Sequence, residues 1–154
     1  MFKFPWLFAA VAILCVSVSA GSTSRYFKED HLTGADYITL APDGSYTLTG
    51  REHMGVSVEE SGGWSKSGTH ITFTPKKPGK SPYTAEEVTY KSRTFLSLEG
   101  DSGPSIAVPV KEIERDLDKK PKALPPYVFF EISPTVYQQE TKQPYPFRTR
   151  PDLP

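Results

Sequence analysis

Cysteine occurs once in the 154 residues, at Cys15, and asparagine does not occur at all. Cys15 lies inside an N-terminal run that reads as a targeting segment, so the mature chain is expected to be free of thiols. That excludes disulfides, cysteine-held zinc and thiol redox motifs. Without asparagine there is no N-glycosylation acceptor. Histidine is scarce as well. His31, His53 and His70 are the whole supply, and no His-x-His or His-x-x-x-His spacing joins them. No zinc or calcium-loop pattern is present, so no metal and no cofactor is expected. Neither sign of charge is in excess, since 18 basic residues stand against 18 acidic ones. The balance removes the electrostatic case for nucleic acid or an anionic membrane surface as a partner.

The first twenty residues have the three parts of a signal peptide. Lys3 supplies the positive start, Phe4 to Val18 form an apolar run, and Val18-Ser19-Ala20 places small residues where a signal peptidase reads. The run is short for a membrane span, and Leu14 before Cys15 does not suit lipidation. Cleavage is expected between Ala20 and Gly21, leaving no stable membrane anchor. Removing residues 1–20 from the 154 leaves 134, enough for one domain with its own core. A thiol-free, asparagine-free exported chain points to a bacterial periplasmic or secreted protein.

The remainder is divided into a lead-in segment (21–34), a β-rich domain (35–133) and a proline-rich tail (134–154). Within the domain, short runs alternate with period 2 and are broken by turn residues. Ile38 and Leu40 share one face. Ala41-Pro42-Asp43-Gly44 suits a tight turn, and Tyr46 and Leu48 alternate after it. The next run passes through Val56, Val58 and Trp64, with Gly62-Gly63 suggesting a bulge or a close backbone approach. Ser67-Gly68 turns the chain into His70 to Thr74, with Ile71 and Phe73 inward. A basic loop with three prolines, Pro75 to Pro82, follows. Further strands are predicted at Glu87 to Tyr90, Thr94 to Leu98 and Ser105 to Val110. Val110, Ile113 and Leu117 then fall on one helical face, which predicts one short helix over Lys111 to Leu117. Tyr127 to Ile132 forms the last strong run. The predicted fold is mainly β: an antiparallel up-and-down meander forming a small barrel or sandwich, with one short helix and a proline-rich C-terminal tail.

Tyr37-x-x-Leu40, Asp43-Gly44-Ser45-Tyr46, Gly63-Trp64, Gly68 and Ile71-x-Phe73-x-Pro75 together resemble a pattern of small exported bacterial β-proteins, of which lipocalin-like domains are the best known. The resemblance covers about forty residues, made largely of turn glycines and alternating strands. It implies an up-and-down β architecture, sometimes enclosing a small apolar ligand, and assigns no binding residue.

One string looks catalytic. Gly100-Asp101-Ser102-Gly103 spells the surroundings of the nucleophile in trypsin-like proteases. A serine nucleophile needs a histidine base, an orienting carboxylate and amide donors for the oxyanion. Here Pro104 stands where that pattern has a second glycine, and proline has no N–H and fixes φ. The mature chain is also too short for the two barrels that hold such a triad. Residues 99–104 are therefore read as an exposed turn between antiparallel strands, with no histidine beside Ser102 and no catalytic residue in the chain. Glu29-Asp30-His31 and Glu52-His53-Met54 put carboxylates beside imidazoles, but neighbouring strand residues point to opposite faces. The paired carboxylates Glu59-Glu60 and Glu86-Glu87 read as solvent-facing acids, and Lys76-Lys77 and Lys119-Lys120 as solvated loop charges.

Aromatic residues are frequent: Tyr37, Trp64, Tyr90, Phe95, Tyr127, Phe129 and Phe130. Tyr127 to Ile132 is apolar on both faces. Either both are buried, one of them under the helix, or one meets a ligand or partner. The functional expectation is an exported non-enzymatic domain that binds a small apolar ligand or a protein partner. The alternatives are an inhibitor or immunity-type protein that inserts the Pro75–Pro82 loop or the tail into an enzyme cleft, and, more remotely, a hydrolase or metal-binding protein.

Overall fold

The computed structural model describes residues 21–30, 34–52, 55–99, 107–120 and 128–142. Eight antiparallel strands, each paired with its neighbours in chain order, close into a barrel. They are β1 (Ser24–Asp30), β2 (Gly34–Leu40), β3 (Ser45–Glu52), β4 (Gly55–Ser67), β5 (His70–Pro75), β6 (Tyr83–Tyr90), β7 (Arg93–Glu99) and β8 (Phe129–Glu131). Among the described residues two helices lie outside it, α1 (Val110–Lys119) and α2 (Pro134–Lys142). The predicted small antiparallel barrel is the fold. The signal segment with Ala20, His31, His53-Met54, Ser102, Tyr127 and the chain after 142 lie outside the described residues.

The hairpin between β2 and β3 forms as its turn residues dictate. Gly44 takes φ +82°, and its N–H donates to the Ala41 carbonyl at 3.1 Å. The Asp43 carboxylate accepts from the Ser45 N–H at 2.9 Å and the Ser45 hydroxyl at 2.6 Å. Both bonds favour the ionised acid, so Asp43 titrates below the usual carboxylate value.

Alternation then sets two faces. Tyr26, Ile38, Leu40, Tyr46, Leu48, Ile71, Phe73, Tyr83, Ala85, Leu96, Leu98 and Phe129 form one buried cluster, with Trp64 packed against it. These side chains fill the barrel. Phe73 is their hub, stacked on Tyr83 at 4.8 Å between ring centres and edge-on to Tyr46 at 5.0 Å. Phe95 and Phe130 face outward and are covered by Ile113 and Leu117 of α1. Phe27, Ala35, Tyr37 and Ile132 also face outward and pack with Val136 and Tyr137 of α2. Both faces of the last strand are therefore buried: Phe129 inside the barrel, Phe130 under α1.

Three particulars differ from the sequence reading. The lead-in segment contains β1, a full wall strand paired with both β2 and β8. Tyr26 and Phe27 are adjacent aromatics on opposite faces, so no alternation marks it. The strand expected over Ser105 to Val110 is absent from its described part, because residues 107–109 are irregular and Val110 opens α1. The partner of β7 on that side is β8, at Phe95 and Leu96, and the turn expected over residues 99–104 lies, beyond Glu99, outside the described residues. A second helix, α2, occupies the start of the tail. In β4, Val58 is 65 % exposed. Leu48 pairs with Glu60 and Thr49 with Val58, so Glu59 is an extra residue and the strand switches face there.

Gly62 shows why β4 carries glycine beyond the bulge. A Cβ there would lie 2.1 Å from the Thr74 carbonyl oxygen and 2.9 Å from the Pro75 Cα, whereas at Gly63 the nearest atom would be 3.8 Å away. Backbone cannot give way as a side chain does. Gly62→Ala is expected to destabilise the barrel by about 3 kcal/mol, the upper end of overpacking costs. Gly63→Ala is expected to stay within about 0.5 kcal/mol of the parent. Urea midpoints at constant m check the pair.

Candidate functional site

The interior is packed, and its polar groups are paired near the two ends. Towards one end, Glu60 is buried and its Oε1 accepts hydrogen bonds from the Tyr46 and Tyr83 hydroxyls at 2.7 and 2.9 Å. On the same inward face Lys28 pairs with Asp36 at 2.8 Å and lies over the Phe129 ring at 5.0 Å. Towards the other end, the Tyr26 hydroxyl donates to Glu87 Oε1 at 2.5 Å, and Lys66 pairs with Glu87 Oε2. Glu60 and Glu87 were read as solvent-facing acids, and the structure corrects this. Beyond the Glu59 bulge, residues 60, 62, 64 and 66 all face inward, and Glu87 shares the inward face with Tyr83 and Ala85. The signal available in sequence was parity, of Glu60 with Trp64 and of Glu87 with Tyr83 and Ala85.

These contacts set the tyrosine chemistry. Burial first, and then the adjoining carboxylate, push the phenols of Tyr26 and Tyr83 well above their ordinary value. Tyr46 is raised for the same reasons, with a partial offset from Tyr83. The three phenols are donors to carboxylates, and they anchor the barrel's polar ends.

The described pocket lies on the outer wall. It has a volume of about 330 Å³ and lies in the strip of wall between the apolar patches that α1 and α2 cover. Register explains how it is assembled. Phe130 of β8 pairs with Phe27 of β1 on one side and Phe95 of β7 on the other. Two residues further along the same outward row come Arg25, Ile132 and Arg93, and the Ile132 N–H donates to the Arg25 carbonyl at 2.8 Å. The two arginines thus flank Ile132 across two strand spacings, roughly 10 Å between backbones. Phe130, Ile132 and Pro134 supply apolar wall, while Ser22, Thr23, Ser92, Thr94 and Ser133 supply hydroxyls. Glu131 borders the pocket along β8 but pairs with the inward-facing Tyr26.

Each arginine is held in place by its element. Arg25 stacks over the Tyr137 ring of α2 at 5.1 Å. Arg93 follows a two-residue turn in which Lys91 and Ser92 have φ of +48° and +63°, the backbone that matches the twist of a hairpin. That turn is tied to α1, because Tyr90 donates to Asp118 Oδ1 at 3.0 Å and Lys91 pairs with the same oxygen. These bonds hold the Asp118 carboxyl below its usual range. Arg25 Nε and Arg93 Nη1 are shielded from solvent and have no hydrogen-bond partner among the described residues. A buried donor without a partner costs about 1–3 kcal/mol, so each of these guanidinium groups holds an unsatisfied donor. The third feature is the start of α2, where the Val136 N–H donates to Ser133 Oγ at 3.2 Å, directing the positive end of that helix to the pocket.

Of the sequence candidates, His70 is exposed at the start of β5, 3.6 Å from Glu99 Oε1. Among the described residues no group of three metal-ligating side chains comes together. The Pro75–Pro82 loop is exposed apart from its hydrogen bond from the Lys76 N–H to the Ser61 carbonyl. Neither Arg25 nor Arg93 was singled out in sequence. The readable signal nearby was Ser133-Pro134, serine before a proline at the first position of a helix. Comparison with protein-family models, characterised proteins and solved structures finds no match to this chain. Function therefore has to be read from the geometry.

The raised phenols predict an alkaline limit. Neutral phenol is the folded form, so their contribution is fully present below the ordinary tyrosine pKa of about 10 and is lost as pH rises above it. In a phenolate absorbance titration, Tyr26, Tyr46 and Tyr83 should ionise only in a late step that coincides with loss of the barrel's circular dichroism. Tyr83→Phe should remove one phenolate from that step. Ionisation of these three at the ordinary pH, with the fold intact, would contradict the Glu60 and Glu87 contacts.

Proposed function

We propose that this chain is an exported, non-enzymatic binding protein that engages a protein partner through the outer wall of its barrel. The observation that carries this reading is the filled interior. Phe73, Tyr83, Tyr46 and Phe129 meet inside the barrel, and tyrosine–carboxylate contacts occupy its ends. A small apolar ligand of the kind lipocalin-like proteins enclose would have to displace that packing. The outer wall, in contrast, presents a preformed pocket beside two helices that are themselves fixed by apolar contacts. The resemblance to small exported β-proteins and the reading of residues 1–20 as a signal peptide support the same role outside the cytoplasm. The inhibitor-type reading is one form of this function, with the exposed Pro75–Pro82 loop as a second contact.

The test compares the two places where binding can occur. An environment-sensitive apolar dye should show no saturable uptake by the purified chain and no change in Trp64 fluorescence. Cross-linking in the native extracellular or periplasmic fraction should give one discrete adduct, lost in Arg93→Glu while circular dichroism and the urea midpoint stay unchanged. Saturable dye uptake competing with Trp64 accessibility, together with no discrete adduct, would overturn the proposal.

A further inference from the structure

We propose that the pocket between Arg25 and Arg93 is a carboxylate-binding site, built for an acid group carried on a small apolar body. The inference rests on the outer wall being the binding surface and names the chemistry that surface recognises.

Three features converge there from different elements. The guanidinium groups of Arg25 and Arg93 line one pocket, and each keeps a solvent-shielded nitrogen without a hydrogen-bond partner among the described residues. Like charges placed either side of one residue repel, and an anion between them reverses that repulsion. The arrangement also suits a carboxylate sterically, because a planar guanidinium presents parallel N–H donors to two oxygens at once. The start of α2 adds its positive end, with Ser133 and Pro134 both in the lining.

Wall composition selects among anions. Glu131 pairs with the inward-facing Tyr26, so the outward row carries the two arginine charges. Phe130, Ile132 and Pro134 form an apolar surface that an inorganic ion cannot use. The volume of about 330 Å³ is at the small end for organic ligands. An aromatic or branched aliphatic acid, or the terminal residue of a peptide, has these properties.

Stacking against Tyr137 fixes the plane of Arg25 while leaving its edge available. The hairpin turn at Lys91-Ser92, tied to Asp118, fixes the backbone that carries Arg93. The site is therefore held open without its ligand, and binding is expected to proceed without rearrangement of the barrel.

The test uses the purified chain with four small probes: benzoate, its neutral isostere benzamide, acetate and inorganic phosphate. Binding is followed through the arginine side-chain Nε–H resonances and by calorimetry. Benzoate should bind saturably and shift two arginine signals, those lost in Arg25→Gln and Arg93→Gln. Benzamide should bind at least about tenfold more weakly, the cost of losing roughly 1.4 kcal/mol of charge-assisted contact. Acetate and phosphate should also be weaker than benzoate. Arg93→Gln and Arg93→Lys should each weaken benzoate about tenfold or more, with unchanged circular dichroism. Equal binding of benzamide and benzoate, tighter binding of phosphate, or no shift of the arginine signals with any probe would overturn the proposal. If benzoate binds as described and no protein adduct forms, the carboxylate site stands and the protein-partner reading falls. A discrete adduct with no response to benzoate has the opposite meaning.

Discussion

Everything in this molecule depends on a three-residue strand. Among the described residues Phe129–Glu131 is the segment that joins β7 to β1, and without it the other seven strands form an open sheet with two exposed edges. Its two phenylalanines do opposite work. Phe129 fills the barrel from inside, and Phe130 anchors α1 from outside. A strand so short has few ladder hydrogen bonds, so its position is secured by side chains. Ile132, one residue past the strand, carries the same row onward and pins α2. Closure, helix attachment and the placement of Arg25 and Arg93 are one event seen from three sides.

That dependence explains which parts of the fold could be read from sequence. The β2–β3 hairpin was legible because Asp43-Gly44 and the Ile38/Leu40 and Tyr46/Leu48 alternation are local signals. The α1 stripe was legible for the same reason, through Ile113 and Leu117. β1 was not, because Tyr26-Phe27 places large aromatics on both faces and Lys28, Glu29 and Asp30 dilute the rest. An outward Phe27 makes sense only once Val136 and Tyr137 of α2 cover it. The described part of the strand expected at 105–110 departs from the opposite cause. Its residues suit a strand, but Phe95 and Leu96 of β7 pair with β8, and Pro109 leads into a helix. The carboxylates Glu60 and Glu87 read as solvent-facing because acids suit solvent, although Glu60 shares parity with Trp64 and Glu87 with Tyr83 and Ala85.

The candidate site was not legible at all, and the reason is geometric. Arg25 and Arg93 are distant in sequence and carry no motif. They become neighbours through the pairing of β1 and β7 with the same residue of β8. Polar chemistry is thereby divided between the two sides of the wall. Inside, carboxylates find tyrosine hydroxyls or lysines, as at Glu60, Glu87 and Asp36. Outside, two guanidinium groups retain nitrogens that nothing among the described residues satisfies. A wall whose inner face is internally paired and whose outer face has spare donors is suited to binding from outside, which is the basis of the proposed function.

The most direct test of this account is the backbone pairing of Phe130, read from cross-strand proton contacts and amide hydrogen exchange. The account predicts contacts from Phe130 to both Phe27 and Phe95, with slow exchange along β1 and β7 lost together when Phe130 is replaced by aspartate. Contacts to Phe95 alone, with β1 amides exchanging as freely as an unpaired edge, would show an open sheet. In that case neither the filled interior nor the pocket between Arg25 and Arg93 would exist as described.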